Sequence, residues 1–406
     1  MLTNPANHIF AHTPDSLREW CADRGMPAYR ADQILDWVYN KNVADPAAMS
    51  NLSKRDRDTL AAEMTFLSGD ALAHQLATDG TQKLLVQWHS TPPLPTGEGL
   101  GVRGVEQPQS DFSNSIEEPS SQPPPARREG EQTALPILNS LNTDLDPTRQ
   151  TECVMIPTET RRTACISSQV GCPVGCRFCA SGLGGLDGNL SSGRIVEQIW
   201  RLAQLPDIER ITNVVFMGMG EPLSNFDNVK RAIQTIAAPW GLNISARKIT
   251  VSTVGLPKYI DRLARELDLP VTLALSLHAP TDDIRRSLIP WSEFTTISEL
   301  LGACQRWFEK TGRETTLEYT LMRGVNDQPD HARELARLAK SMRSNVNLIR
   351  YNEVGGLEFK RPRDEDVREF QQILLDANVN VHIRASRGRD IAAACGQLRH
   401  EAAASA

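Results

Sequence analysis

From Thr163 onward the chain alternates two kinds of apolar spacing. Short aliphatic and β-branched runs at Ala164–Ser168, Ile211–Met217, Lys248–Thr253, Val271–Leu277, Thr315–Met322, Val346–Tyr351 and Val379–Ile383 predict strands. Between them, Ser192–Leu205, Asn225–Ala238, Pro257–Leu267, Ile297–Lys310, Asp330–Met342 and Glu365–Ala377 repeat apolar residues at helical spacing. Strand and helix taking turns predict an α/β fold, a parallel sheet with helices outside. Six such units predict a partial (β/α)6 barrel over 163–398, with its site at the carboxyl ends of the strands. Upstream, Ser16–Cys21, Arg30–Lys41 and Ser53–Met64 have helical periodicity and predict a small helical domain over 1–70. Asp79-Gly80 is a hairpin signal, and Lys83–Trp88 and Glu152–Pro157 read as strands, which predicts a β-hairpin extension over 71–162.

Composition changes this picture at one place. Thr91 to Gly130 holds eight prolines, five glycines and a single aromatic residue, Phe112, too little apolar surface to offset the entropy of ordering. The stretch from about 91 to 150 is therefore expected to be a disordered insert replacing a hairpin tip, where added loop length costs little. It carries nine acidic residues against four arginines, so it supplies −5 of the net charge of −6. The remaining body is nearly neutral, with basic clusters at Arg161-Arg162, Lys360 to Arg363 and Arg384 to Arg389, which permits an RNA partner without requiring one. At 406 residues, 40% hydrophobic and 23% charged, the chain is long enough for two or three domains. No run approaches the roughly 18 apolar residues of a membrane span, and the amino terminus lacks a basic and an apolar signal region. A cytoplasmic protein is expected, with residues 399–406 as a tail.

Eight cysteines in a reducing compartment read as ligands or reactive thiols rather than structural disulfides. Three of them crowd into Cys172-Pro-Val-Gly-Cys176-Arg-Phe-Cys179, a C-x3-C-x2-C loop after the first barrel strand. Such spacing lets one loop wrap several thiolates around an iron–sulfur centre; structural zinc usually takes four ligands from two knuckles, and no second knuckle follows. Three ligands on a four-iron cluster leave one iron open to a small molecule. Further along, Gly218-Met-Gly220-Glu221-Pro222 follows the second barrel strand, with glycines for close backbone approach and a carboxylate to accept from an ammonium. Ser252, Ser276-Leu277-His278 and Asn352 fall at the ends of later strands, where polar groups read as ligand contacts. Taken singly, each has a plainer reading: His278 as a satisfied core histidine, Ser252 as a cap, the glycines as an ordinary turn.

The cysteine loop and the Gly-Glu turn together resemble the radical S-adenosylmethionine superfamily, whose open iron is chelated by S-adenosylmethionine. Within it, the chain is similar to the adenine-C2 methyltransferases of ribosomal RNA, some of which also act on transfer RNA. The resemblance rests on Tyr29-Arg-Ala-Asp-Gln-Ile-Leu-Asp-Trp37, Glu152-Cys-Val-Met-Ile-Pro157, Cys165-Ile-Ser-Ser-Gln-Val-Gly-Cys172, Ala274-Leu-Ser-Leu-His-Ala-Pro280 and Arg387-Gly-Arg-Asp-Ile-Ala-Ala-Ala-Cys395-Gly-Gln-Leu398, in family order once the insert is removed. It implies a radical S-adenosylmethionine barrel with a helical accessory domain that grips RNA. One [4Fe-4S] cluster is implied on Cys172, Cys176 and Cys179, with two S-adenosylmethionine molecules per turnover contacting Gly220, Glu221, Ser252, Ser276, Leu277, His278 and Asn352. The resemblance further implies that Cys395 carries a methyl group, that a 5′-deoxyadenosyl radical takes hydrogen from it, and that the carbon radical adds to adenine C2. Glu152 then accepts the C2 proton, and Cys165 attacks the Cys395 sulfur to leave a transient disulfide. An external donor such as flavodoxin or ferredoxin and a monomeric state complete the expectation. The insert and Cys153 depart from the family pattern.

Alternatives remain at this stage. The same thiols and cluster serve the antibiotic-resistance relatives that methylate adenine C8. A radical enzyme of another kind, such as a methylthiotransferase or a glycyl-radical activator, predicts no methyl on Cys395, and an iron–sulfur or zinc protein that only binds RNA predicts no 5′-deoxyadenosine. Cys165 alone would be a small buried hydrophobe, Glu152 a solvated strand residue and Cys395 a bystander. Arg384, Arg387 and Arg389 either lower the Cys395 pKa, bind phosphate or form an exposed face.

Overall fold

The computed structural model describes residues 2–90, 146 and 149–398. The expected disordered insert lies outside them apart from Asp146, Arg149 and Gln150, as does the tail at 399–406.

Three helices open the chain: α1 (Pro14–Ala22), α2 (Tyr29–Leu35), which runs on into a π-helical turn at Asp36–Asn40, and α3 (Lys54–Glu63). Thr13 starts α1 with a reciprocal capping box to Ser16 and Pro14 at the first turn, and Ser53 caps α3 through Asp56 N. Their buried faces, Leu17, Trp20, Ile34, Leu35, Val38 and Leu60, join the same apolar cluster as the barrel helices.

The hairpin extension is β1 (Gly69–Leu76), β2 (Gln82–Trp88) and β3 (Gln150–Pro157), each antiparallel to the next, and β3 pairs antiparallel with β4 (Arg162–Cys165). Gly80 turns the first hairpin at φ +80°. Residues 89–149 thus join two neighbouring antiparallel strands, with Gln87 opposite Gln150. Strand β1 is implied by the Asp79-Gly80 hairpin signal, but the apolar pattern sets no range for it: it is a largely exposed edge without β-branched residues and with a bulge between Ala71 and Ala73. A further, unforeseen hairpin, β5 (Gln169–Gly171) with β6 (Leu186–Asn189), brackets the cysteine loop.

Beyond it run α4 (Ser192–Ala203), β7 (Asn213–Phe216), α5 (Phe226–Ala237), β8 (Ile249–Thr253), α6 (Pro257–Glu266), β9 (Thr272–Ser276), α7 (Asp282–Leu288), α8 (Ile297–Thr311), β10 (Thr315–Leu321), α9 (Pro329–Lys340), β11 (Ser344–Arg350), α10 (Asp364–Asp376) and β12 (Val381–Arg384). The strand order is β1-β2-β3-β4-β7-β8-β9-β10-β11-β12, parallel from β4 onward. Six helical crossovers link seven parallel strands, and among the described residues β1 does not pair with β12, so the barrel is partial as expected. The two-residue period decides what faces where. Leu273, Leu275 and Leu277, like Leu317, Tyr319 and Leu321, pack in the helix-covered core, whereas Ser276, Glu318 and Thr320 face the barrel cavity. No described helix is long and apolar enough to cross a membrane.

Candidate functional site

The cysteine loop is shaped before any ligand is considered. Gly171 at its entry has φ +71°, and a Cβ there would strike Gly185 O at 2.0 Å, so the strand can turn into the loop only without a side chain. Cys172 N donates to Gly185 O at 2.7 Å and Arg177 N to Leu288 O at 3.0 Å, fixing the loop between β6 and α7. Cys172, Cys176 and Cys179 are free, half-buried and packed against Val174, Phe178, Val254, Leu288, Ile289 and Tyr351. Burial pushes the Cys172 thiol up to about 12 and raises Cys176 and Cys179 as well, so these thiols become thiolates only opposite a positive centre. No group of three or more His, Cys, Asp or Glu among the described residues is spaced for a single metal ion. Three thiol donors on one cavity wall fit an iron–sulfur cluster, in which each sulfur addresses a different iron.

The cavity in front of the loop measures about 970 Å³ including its open mouth. The Gly218–Glu221 turn after β7 forms one wall. A Cβ at Gly218 would lie 2.7 Å from Ile166 C, and Gly220, at φ +100°, would bring one to 2.7 Å from Gln169 Cβ. Glu221 is buried; its Oε1 accepts from Leu223 N at 2.9 Å and its Oε2 from Val254 N at 2.8 Å. Burial nevertheless raises its carboxyl to about 7, so it titrates near neutrality. Ser252 and Ser276, on the neighbouring strands β8 and β9, bring their hydroxyls within 3.3 Å of each other on the adjoining wall. His278, at φ +56°, accepts from Thr320 N through Nδ1 at 3.1 Å and meets the Phe178 ring edge-on. Burial lowers its pKa to about 3, so the ring is neutral and keeps Nε2–H as a donor.

Two expected contacts are placed differently. Leu277 has its side chain in the core, on the outward phase of β9, and its carbonyl is taken by Arg285 Nε at 3.2 Å. Asn352 lies behind the wall and donates through Nδ2 to Cys395 O at 3.2 Å, with Arg361 Nη1 donating to its Oδ1 at 3.2 Å.

Cys395 lines the same cavity as the cysteine loop, though the two are more than 200 residues apart in sequence. The segment carrying it is stitched to that loop: Ala180 N donates to Gly396 O at 2.9 Å and Ser181 Oγ to Leu398 O at 2.7 Å. Its thiol sits in a concave, protein-walled mouth that raises its pKa to about 11, while the residue stays exposed to solvent. Cys165 ends β4, buried, raised to about 12 by burial first and then by the neighbouring Cys395 thiol. Arg384 at the end of β12 pulls both thiols back down and pairs with Glu318 at 3.4 Å. Of the three arginines considered from sequence, Arg384 is therefore the one on the cavity wall.

Glu152 lies two residues from Val154, which pairs with Cys165, so it shares the Cys165 face of the sheet. It is buried, not solvated, and its Oε1 stands 2.6 Å from Lys83 Nζ, which also donates to Ala392 O at 3.4 Å. Lys83 thus ties Glu152 to the Cys395 segment. Cys153, on the opposite phase of β3, is buried in the outer core. Lys83, Glu318 and Arg285 were not singled out from sequence. Glu318 had a signal, the one charged residue in its strand, set between Leu317 and Tyr319; the other two had none.

Residues 166–338 match the model of the radical SAM superfamily, and residues 8–65 match that of the ribosomal RNA large subunit methyltransferase N-terminal domain. The chain is 39% identical to the "Probable dual-specificity RNA methyltransferase RlmN" of Salinibacter ruber, over 95% of this chain and 92% of that protein. It is 37% identical to the dual-specificity RNA methyltransferase RlmN of Stenotrophomonas maltophilia, over 92% of this chain and 83% of that one. Among solved structures, a radical SAM methyltransferase from Sphaerobacter thermophilus superimposes with a TM-score of 0.80 at 36% identity, covering 97% of this chain and 99% of that one.

Proposed function

Since this chain belongs to the RlmN family of dual-specificity RNA methyltransferases, S-adenosylmethionine-dependent enzymes of the radical SAM superfamily, we propose that it methylates C2 of an adenine in 23S ribosomal RNA and in transfer RNA through a methylated Cys395. One observation carries this reading: the cysteine loop, the Gly220-Glu221 turn and Cys395 line one cavity, with Cys165 beside it.

In this reading Cys172, Cys176 and Cys179 hold a [4Fe-4S] cluster. Such a cluster would supply the electron that cleaves S-adenosylmethionine reductively, the source of the radical chemistry at the Cys395 methyl group. The chain's own residues do the rest. Gly218 and Gly220 let the cavity-lining turn pack directly against Ile166 and Gln169, Glu221 faces the cofactor's ammonium, and Ser252, Ser276 and neutral His278 offer hydroxyls and a ring N–H along the wall. Asn352 acts through the main chain, holding Cys395 in place by its carbonyl.

Adenine C2 is too electron-poor to attack a sulfonium methyl directly, whereas a thiolate is a good nucleophile. The Cys395 sulfur therefore takes the methyl group from one S-adenosylmethionine, a second being spent per turnover. Arg384 favours the thiolate that this needs. Once the carbon is joined to C2, Glu152 accepts the C2 proton and the ring radical passes its unpaired electron to an oxidised one-electron carrier of flavodoxin or ferredoxin type; the Cys165 thiolate then attacks the Cys395 sulfur, and the carbon leaving that sulfur takes up a proton to become the methyl group. The S–C bond breaks, methylated RNA leaves and a Cys165–Cys395 disulfide remains, which two electrons from an external donor, of flavodoxin or ferredoxin type, reduce. The helical region over 8–65 adds grip on the RNA, and the enzyme acts as a monomer.

Nucleoside mass spectrometry of RNA incubated with cluster-loaded enzyme, S-adenosylmethionine and reductant tests the assignment. The expected product is 2-methyladenosine; 8-methyladenosine as the main product would overturn the choice of carbon.

A further inference from the structure

Arg285, on α7 behind the cysteine loop, is 2% exposed. Its guanidinium donates to Leu277 O at 3.2 Å, Ser292 Oγ at 3.0 Å, Val254 O at 2.5 Å and Ser276 O at 3.4 Å. All four acceptors are neutral. No carboxylate among the described residues stands within ion-pair distance; the adjacent Asp282 turns its Oδ1 to Ile297 N at 2.7 Å instead. A guanidinium keeps its charge at any physiological pH, and burying one without an anion is costly unless something negative comes to face it.

Its surroundings indicate what that is. Two of its acceptor carbonyls belong to Val254 and Ser276, which line the cavity together with Cys176. Leu288, one turn along α7, takes a hydrogen bond from Arg177 of the cysteine loop and packs with Cys176, Val254 and Trp291 in one apolar cluster.

We propose that Arg285 is the buried counter-charge of the iron–sulfur centre, a positioning residue that raises the centre's reduction potential. The inference rests on the reading of Cys172, Cys176 and Cys179 as cluster ligands. A cluster held by three thiolates gains one more negative charge on reduction. A fixed positive charge in a low-dielectric wall stabilises the reduced form more than the oxidised one. The four hydrogen bonds hold that charge in place without neutralising it.

The test uses the full chain, reconstituted with iron and sulfide, as wild type, Arg285→Gln and Arg285→Lys. Iron content is measured, the midpoint potential is read by titration monitored by electron paramagnetic resonance, and melting temperatures are compared before and after loading. Arg285→Gln is expected to titrate at a more negative potential and to gain less melting temperature on loading than wild type; Arg285→Lys, which keeps the charge, is expected to titrate with wild type. A merely structural hub predicts equal losses of melting temperature with and without the cluster, and an unmoved midpoint in fully loaded Arg285→Gln overturns the proposal. Should that variant not fold, Arg285→Met takes its place: a more negative midpoint supports the counter-charge, and an unmoved one overturns it. Wild-type protein that takes up no iron would overturn the ligand reading and this inference together.

Discussion

At Cys395 two physical requirements pull against each other. A nucleophile for a sulfonium must be a thiolate, yet the protein packed around the Cys395 thiol disfavours the charged form and raises its pKa to about 11 although the residue is open to solvent. Arg384 is the opposing influence, and it serves Cys165 as well. Replacing it should separate the two effects. In the apo protein, alkylation of Cys395 by iodoacetamide should rise with pH toward the thiol's raised pKa, and Arg384→Gln should move that midpoint to higher pH, slowing the reaction at pH 8 several-fold. An unmoved profile would mean that Glu318 and solvent already cancel the charge. Much of this chemistry was legible one residue at a time only through resemblance. Glu152 looks like a strand residue bound for solvent, and nothing in the sequence says that Lys83, reached across β2 and β3, will meet it at 2.6 Å.

Among the elements, α4 binds the most parts together. Its Glu197 is buried and accepts from Ser68 N at 3.0 Å and Ser68 Oγ at 2.7 Å at the start of β1, pairs with Arg201 one turn on at 2.6 Å, and meets His8 Nε2 at 3.1 Å. Burial alone would raise its carboxyl, but His8, Arg201 and Ser68 outweigh that and hold it down from 4.5 to about 2. A depressed carboxyl stabilises the fold above its unfolded value, and that contribution is lost as pH falls from about 4.5 toward 2. Glu197→Gln, which leaves buried His8 and Arg201 without their anion, should cost about 3–5 kcal/mol near neutrality and flatten the stability loss in that acid window, as denaturant melts across pH would show. Its apolar period made α4 easy to foresee. Strand β1 and the β5–β6 hairpin were not, because one is an exposed, bulged edge and the other is three or four residues long and held by glycine geometry rather than by apolar alternation.

Over the whole molecule, topology brings together what the sequence keeps apart. The three cluster cysteines were visible because eight residues contain them. The approach of Cys165, at the first parallel strand, to Cys395, beyond the last, appears only when the barrel curves and the carboxyl-terminal segment returns to the cysteine loop through Gly396 and Leu398. Strands β2 and β3, between which the long acidic insert lies in sequence, are paired in register through six residue pairs. The central claim is that these two thiols work in sequence, one carrying the methyl group and the other releasing the product. The most direct test is peptide mass spectrometry of cluster-loaded protein and its Cys165→Ala variant after incubation with RNA and S-adenosylmethionine. We expect a methyl group on Cys395 in the wild type and, in the variant, RNA covalently held on Cys395; an unmodified Cys395 in iron-replete protein would contradict the account.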